Sequence, residues 1–265
     1  MINFTEKELI VFDLDGTLAE SKAVLDDEMS ELILKLLNVK KVAIISGGMF
    51  SQFEKQFLSS LPASVEQLKK LFILPTSGTR LYAWKESGIE KDGSSLSPGW
   101  HEGYSENLLP RDRKMIIESI EEAWAATGYS LPEKIYGEQI EDRESQITFS
   151  ALGQDAPLEL KKDWDPKKEK RQKLVNILQK KLPNFDVSMG GSTSVDVTMK
   201  GVNKAYGIHK LRDFLNIPLE HMLFVGDEVI PNGNDYSVKL AGVDCVQVSD
   251  KEETKKLISE WVRQG

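Results

Sequence analysis

Two aspartates spaced two apart at the end of an apolar run are the residues of this chain best suited to chemistry. Leu9-Ile10-Val11-Phe12 reads as a buried strand and gives way abruptly to Asp13-Leu14-Asp15-Gly16-Thr17. Side chains two apart on a strand share a face, so the carboxylates of Asp13 and Asp15 can converge on one small volume. Gly16 lets the chain turn sharply just past the strand, and Thr17 adds a hydroxyl and main-chain N–H groups beside it. Like charges this close need a counter-charge, for which a divalent cation is usual. In parallel α/β sheets the carboxyl ends of the strands are where ligands bind. The segment reads as a metal-dependent active site, against the plainer alternative of a polar turn that caps the next helix.

Three further motifs decide between these. Ile44-Ile45-Ser46-Gly47-Gly48 ends a second apolar run with a hydroxyl and two glycines, so main-chain N–H groups there can approach a phosphate closely. Lys204 opens an amphipathic segment, Asn203–Leu215. Leu223-Phe224-Val225-Gly226-Asp227-Glu228 ends another strand in acids and runs on through Pro231-Asn232-Gly233-Asn234-Asp235. Each alone is an ordinary turn or surface lysine. Together they place acids, a hydroxyl, a lysine and acids, in that order, at successive strand ends of one sheet, a combination hard to obtain by accident.

The elements that must hold these residues are legible from periodicity. Strands are expected at Leu9–Asp13, Val42–Ser46, Phe72–Pro75, Met222–Asp227 and Cys245–Ser249, with helices at Leu25–Leu37 and Ser249–Gln264. Alternation of strand-length and amphipathic segments indicates a parallel sheet covered by helices. The middle of the chain differs: two long helices, Pro110–Thr127 and Asp165–Leu182, with strands expected at Lys134–Ile140, at Gln146–Leu152 and from Phe185. A second domain inserted between core strands follows, with core 1–85 and 189–265 and insertion 86–188. The chain of 265 residues carries a net charge of −8, which argues against a nucleic-acid-coating protein. No apolar run approaches the ~20 residues needed to cross a bilayer. The N-terminal residues lack the basic and apolar regions of a secretory signal, and the single Cys245 can form no internal disulfide. A cytoplasmic protein is the expectation.

The set Asp13-x-Asp15-Gly16-Thr17, Ser46, Lys204 and Gly226-Asp227…Asn234-Asp235 resembles the four motifs of the haloacid dehalogenase superfamily of phosphotransferases. The fold this implies is α/β, a Rossmann-like parallel-sheet core with an inserted type IIB α/β cap. Three segments extend the likeness to the eukaryotic-type phosphomannomutase branch: Ile140-Glu141-Asp142-Arg143, the run from Ser188 to Val197, and the run from Gly226 to Asp235. The resemblance implies Asp13 as nucleophile and Asp15 as acid and base. It implies Mg²⁺ held by Asp13, the main-chain carbonyl of Asp15 and Asp227, with Asn234 and Asp235 orienting the metal's surroundings. Phosphoryl oxygens would be held by Thr17, Ser46, Gly47 and Lys204. It also suggests a homodimer through the cap.

For the substrate, three cap arginines of phosphomannomutases fall on Arg143, on Gln154 and on Lys161, and a fourth family arginine falls on Lys22. Ser194 and Asp196 match residues that hydrogen-bond the sugar or its phosphate. One arginine is therefore kept, one replaced by an amide and two softened to lysine, which lacks the bidentate fork. A mutase must grip the distal phosphate of a sugar bisphosphate, whereas hydrolysis asks less of the cap. The expectation is accordingly a Mg²⁺-dependent phosphatase of a small phosphorylated metabolite, with phosphomannomutase as the alternative.

Overall fold

The computed structural model describes residues 3–89, 95–130, 132–231 and 233–264. Its strands in chain order are β1 (Leu9–Asp13), β2 (Lys41–Ile45), β3 (Leu71–Leu74), β4 (Arg80–Lys85), a short β5–β6 ribbon (Gly88–Ile89 with Ser95–Leu96) and β7 (Gly99–Ser105). They continue with β8 (Ile140–Asp142), β9 (Gln146–Ser150), β10 (Phe185–Gly190), β11 (Ser194–Met199), β12 (Met222–Gly226) and β13 (Asp244–Gln247). The helices are α1 (Asp27–Val39), α2 (Phe50–Gln56), α3 (Val65–Leu68), α4 (Pro110–Thr127) and α5 (Leu158–Trp164). After these come α6 (Glu169–Lys181), α7 (Lys204–Leu215), α8 (Tyr236–Leu240) and α9 (Lys251–Gln264).

The chain divides into two compact units, one of residues 1–105 and 203–265, the other of residues 106–202. In the first, the sheet order is β13-β12-β1-β2-β3-β4-β7. The five strands from β13 to β3 are parallel and β4 and β7 antiparallel. Strand β1 is central and buried along its whole length, and its alternation sorts the core into two layers. Ile10 and Phe12 pack with Ile33, Leu36 and Phe53 on one face; Leu9 and Val11 pack with Ile208, Leu211 and Val238 on the other. Burying each such side chain contributes about 1.5–3 kcal/mol. The period of two puts Asp13 on the Leu9–Val11 face, the side on which α7 packs.

The second unit is a four-stranded antiparallel sheet, β10-β11-β9-β8, with α4 and α6 against one face. Ile147, Phe149, Val195 and Val197 face those helices, joining Ile116, Ile120, Leu174 and Leu178 in its core. The alternate residues Thr148, Ser150, Ser194 and Asp196 form the opposite, polar face. Two sequence expectations are corrected here. The insertion runs from 106 to 202 instead of 86 to 188, because β7 pairs with β4 in the core sheet and β11 pairs with β9 and β10. Lys134–Ile140 is no strand up to its last residue. Its main chain is spent on a turn, Tyr136 N–H donating to Leu152 O and Asp155 N–H to Tyr136 O, at Gly137 with φ +71°.

Candidate active site

The β1, β2 and β12 registers align their carboxyl ends: Asp13 lies opposite Ile45, and Phe12 opposite Val225. Asp13, Ser46 and Asp227 therefore emerge side by side where three parallel strands stop. Helix α7 supplies the fourth group. Asn203 caps it, its side chain accepting the N–H of Tyr206 at 3.1 Å, and Lys204 is its first residue. A cation at a helix N-terminus opposes the helix dipole, so Lys204 is at the unfavourable end unless something else holds it. Three oxygens do. Its ammonium, buried with only 5% of the residue exposed, sits 2.7 Å from Asp13 Oδ1, 2.5 Å from Asp235 Oδ1 and 2.9 Å from Asn234 Oδ1.

Asp13, Asp227 and Asp235 form an acidic cluster in which one carboxylate oxygen from each lies within 4.8 Å of the others. Two glycines allow this closeness. A Cβ on Gly16 (φ +87°) would run into the Asp227 carboxylate, and one on Gly226 into that of Asp235. Fully ionised, three carboxylates and one ammonium carry a charge of 3 − 1 = 2 negative units. Burial, ahead of Asp235 and Asp227, holds the Asp13 carboxyl well above its ordinary range in spite of Lys204. Burial and then Asp235 push the Asp227 carboxyl up to about 6. Lys204 is raised above its ordinary value, Asp13 and Asp235 outweighing desolvation. The cluster needs two positive charges, and its all-oxygen donors suit a hard divalent cation such as Mg²⁺.

The other expected phosphate ligands flank this cluster in sequence and at the strand ends. Thr17 is wholly buried and its Oγ1 has no hydrogen-bond partner, which leaves a hydroxyl ready for a ligand oxygen. Ser46 is buried and its Oγ accepts from Gly48 N–H at 3.4 Å; Gly47 lies in the same turn. Asp15 does not join the three carboxylates; its own oxygens accept from Lys22 N–H (2.7 Å), Gln56 Nε2 (3.3 Å) and Gln52 Nε2 (3.4 Å). Its expected metal contact is a main-chain carbonyl, not this carboxylate. Asp235, expected only to orient the metal's surroundings, has its carboxylate inside the cluster and also accepts Glu228 N–H at 3.1 Å. The residue Asn232 of the same motif lies outside the described residues.

Arg143, Lys161, Ser194 and Asp196 all belong to the second unit. Arg143 donates to Glu141 Oε2 from Nε at 2.9 Å and from Nη2 at 2.6 Å. The Asp196 carboxylate accepts from Thr148 Oγ1 at 2.7 Å, and the Ser194 and Ser150 hydroxyls are 2.6 Å apart. These three residues lie on or beside the polar face. Lys161 is on α5, where its Nζ donates to Gln154 O at 2.8 Å. Lys22 is exposed, with φ +59°, and serves Asp15 through its main chain. Gln52 and Gln56 carry no signal in the sequence, since glutamines at i and i+4 of a short helix read as a solvated face.

Parallel strands that end in a buried carboxylate, a lysine and an acidic cluster define an enzyme core of the α/β type. The chain belongs to the family of haloacid dehalogenase-like hydrolases, which it matches over residues 10–238. It is similar to the phosphomannomutase of Encephalitozoon cuniculi, at 24% identity over 97% of this chain and 94% of the relative. To that of Spinacia oleracea the identity is 28%, over 95% and 94%. In fold it is similar to an IMP-bound mutant IMP-nucleotidase of Plasmodium falciparum (TM-score 0.71, 17% identity, 100% of this chain and 69% of that one). A haloacid dehalogenase-like hydrolase from Bacteroides thetaiotaomicron matches with TM-score 0.58 and 15% identity, over 96% and 99%. The described helices include none long and apolar enough to cross a membrane.

Proposed function

We propose that this chain transfers the phosphoryl group of a small sugar phosphate through a phosphorylated Asp13, and that it does so as a mutase. The observation that carries the transfer is the buried Asp13–Lys204–Asp235 array beside Asp227. Asp13 attacks phosphorus, splitting one hard displacement into two easier ones. Lys204, fixed by Asp235 and Asn234, presents its charge to the phosphoryl oxygens, and Thr17, Ser46 and Gly47 hold them in place. Asp15 protonates the departing sugar oxygen and then deprotonates the incoming hydroxyl. Asp13, Asp227 and Asp235, with the main-chain carbonyl of Asp15, would hold Mg²⁺, which when bound offsets the repulsion between carboxylate and phosphate.

Phosphomannomutases along nearly the whole chain support the mutase, which sequence alone had ranked behind hydrolysis. Hydrolysis is the second reading, favoured by the amide of Gln154 and the lysines at 22 and 161, positions where the resemblance places arginines in those enzymes. ³¹P NMR of the protein with Mg²⁺ and mannose 1-phosphate, with and without catalytic glucose 1,6-bisphosphate, separates the two. Mannose 6-phosphate appearing only with the bisphosphate is the expected result. Inorganic phosphate alone would replace the mutase by a phosphatase, and no turnover of any sugar phosphate would sink both. A cytoplasmic location and a cap-mediated homodimer remain part of this proposal.

A further inference from the structure

The Asp15 carboxylate has partners of its own, apart from the acidic cluster. Gln52 and Gln56 lie one turn apart on the same face of α2, and their amide nitrogens stand 3.4 Å from Asp15 Oδ2 and 3.3 Å from Oδ1. Gln56 Nε2 donates a second time, to Ala23 O at 3.1 Å, so two acceptors settle which end of that amide is nitrogen. The main-chain O of Gln56 in turn accepts Leu25 N–H at 2.7 Å. One residue thus ties both the Asp15 side chain and the loop after it to α2. Packing does not explain a glutamine here. Only 3% of it is exposed, and its Oε1 is buried with no partner, a cost that an apolar side chain of similar size would avoid. Gly48 completes the arrangement, since a Cβ there would overlap the Gln52 amide.

We propose that Gln56, seconded by Gln52, is a positioning residue that fixes the Asp15 carboxylate for proton transfer to and from the sugar oxygen. This rests on the role given to Asp15 above. Three donors across two oxygens, one from the main chain and two from a helix, hold the carboxylate in one place beside a cluster of like charges. Misplacing a reacting group by about 1 Å can cost on the order of a hundredfold in rate.

The test compares wild type with Gln56→Leu, Gln56→Glu and Gln52→Ala. A sugar phosphate has a poor leaving group that needs a proton; p-nitrophenyl phosphate does not. Expected is a loss of roughly ten- to hundredfold in kcat for the sugar phosphate with little change in KM, greatest for Gln56→Glu. The stopped-flow burst of p-nitrophenolate should fall far less, and the melting temperatures of Gln56→Leu and Gln52→Ala should stay close to wild type. Equal losses on both substrates, or none, would overturn the proposal. A crystal structure of Gln56→Leu decides the same point without turnover: the Asp15 carboxylate should turn away from its wild-type position, and finding it in place would overturn the inference. A wild type that forms no phosphoenzyme from any ester would instead overturn the reading of the site on which this rests.

Discussion

Three carboxylates share one lysine, and that imbalance governs how the site responds to pH and metal. Burial and the neighbouring Asp235 hold the Asp227 carboxyl at about 6 in the folded chain, against an ordinary value of 3.8. Between those two values the unfolded chain has already released this proton and the folded chain has not. Without metal, the site's cost to folding is absent below the lower value, grows through the window and is full above the upper one. Asp227→Asn removes that cost. In EDTA, the variant should gain on wild type as pH rises from about 4 to 6.5, levelling off at roughly 1–2 kcal/mol after allowance for solvent screening. With Mg²⁺ at pH about 7.5 the order should reverse, because only the wild type offers a full set of ligands. Urea unfolding at each pH, with and without Mg²⁺, reads both effects. A variant that responds to Mg²⁺ as strongly as wild type would remove Asp227 from the metal site.

At the scale of elements, what places Lys204 is a close approach between α7 and the loop after β3. Thr76, Ser77 and Gly78 all have positive φ, at +48°, +56° and +84°. Hydrogen bonds of 2.9 Å from Thr76 N–H to Gly48 O and from Ser77 N–H to Ser46 O pin that loop to the turn bearing Ser46. Helix α7 passes it at Gly207, where a Cβ would stand 2.8 Å from Ser77 O and 3.0 Å from Gly78 Cα. Gly207→Ala should therefore push the first turn of α7 outward, costing about 1–3 kcal/mol in stability and more in turnover, since Lys204 moves with it. Unfolding and kcat measured on one preparation test this; unchanged values for both would mean that the contact is slack. How much of this was legible in the sequence depends on the element. The core strands were, because both their faces are buried and their apolar runs are nearly continuous. Strand β11 falls within the segment 189–265 expected to be core, yet it pairs with β9 and β10. Its Val195 and Val197 in fact face α4 and α6. Gln52 and Gln56 carried no signal, since only tertiary structure reveals that their solvated-looking face meets Asp15.

For the molecule as a whole, the candidate residues are distributed over both units. The core, residues 1–105 with 203–265, contains the residues matched to phosphate and metal together with Lys22, and the unit of residues 106–202 contains Arg143, Gln154, Lys161, Ser194 and Asp196, the other residues matched to the substrate. That second unit is where this chain departs most from the mutase pattern. Arg143 engages Glu141, Lys161 donates to the main-chain oxygen of Gln154, and the Gln154 side chain brings no charge. A charge-assisted bond to phosphate contributes about 1.5–3 kcal/mol, so restoring one cation should matter. Gln154→Arg should tighten glucose 1,6-bisphosphate binding by roughly ten- to a hundredfold. Calorimetry in an Asp13→Asn background, where no transfer can occur, isolates that affinity from turnover. The same substitution in an otherwise wild-type chain should raise the yield of isomerised sugar phosphate relative to inorganic phosphate. The reason is that a bisphosphate held at its distal end stays to be rephosphorylated at the other position instead of leaving Asp13 to water. If affinity is unchanged, position 154 does not meet the distal phosphate, and its lost arginine is no argument for hydrolysis.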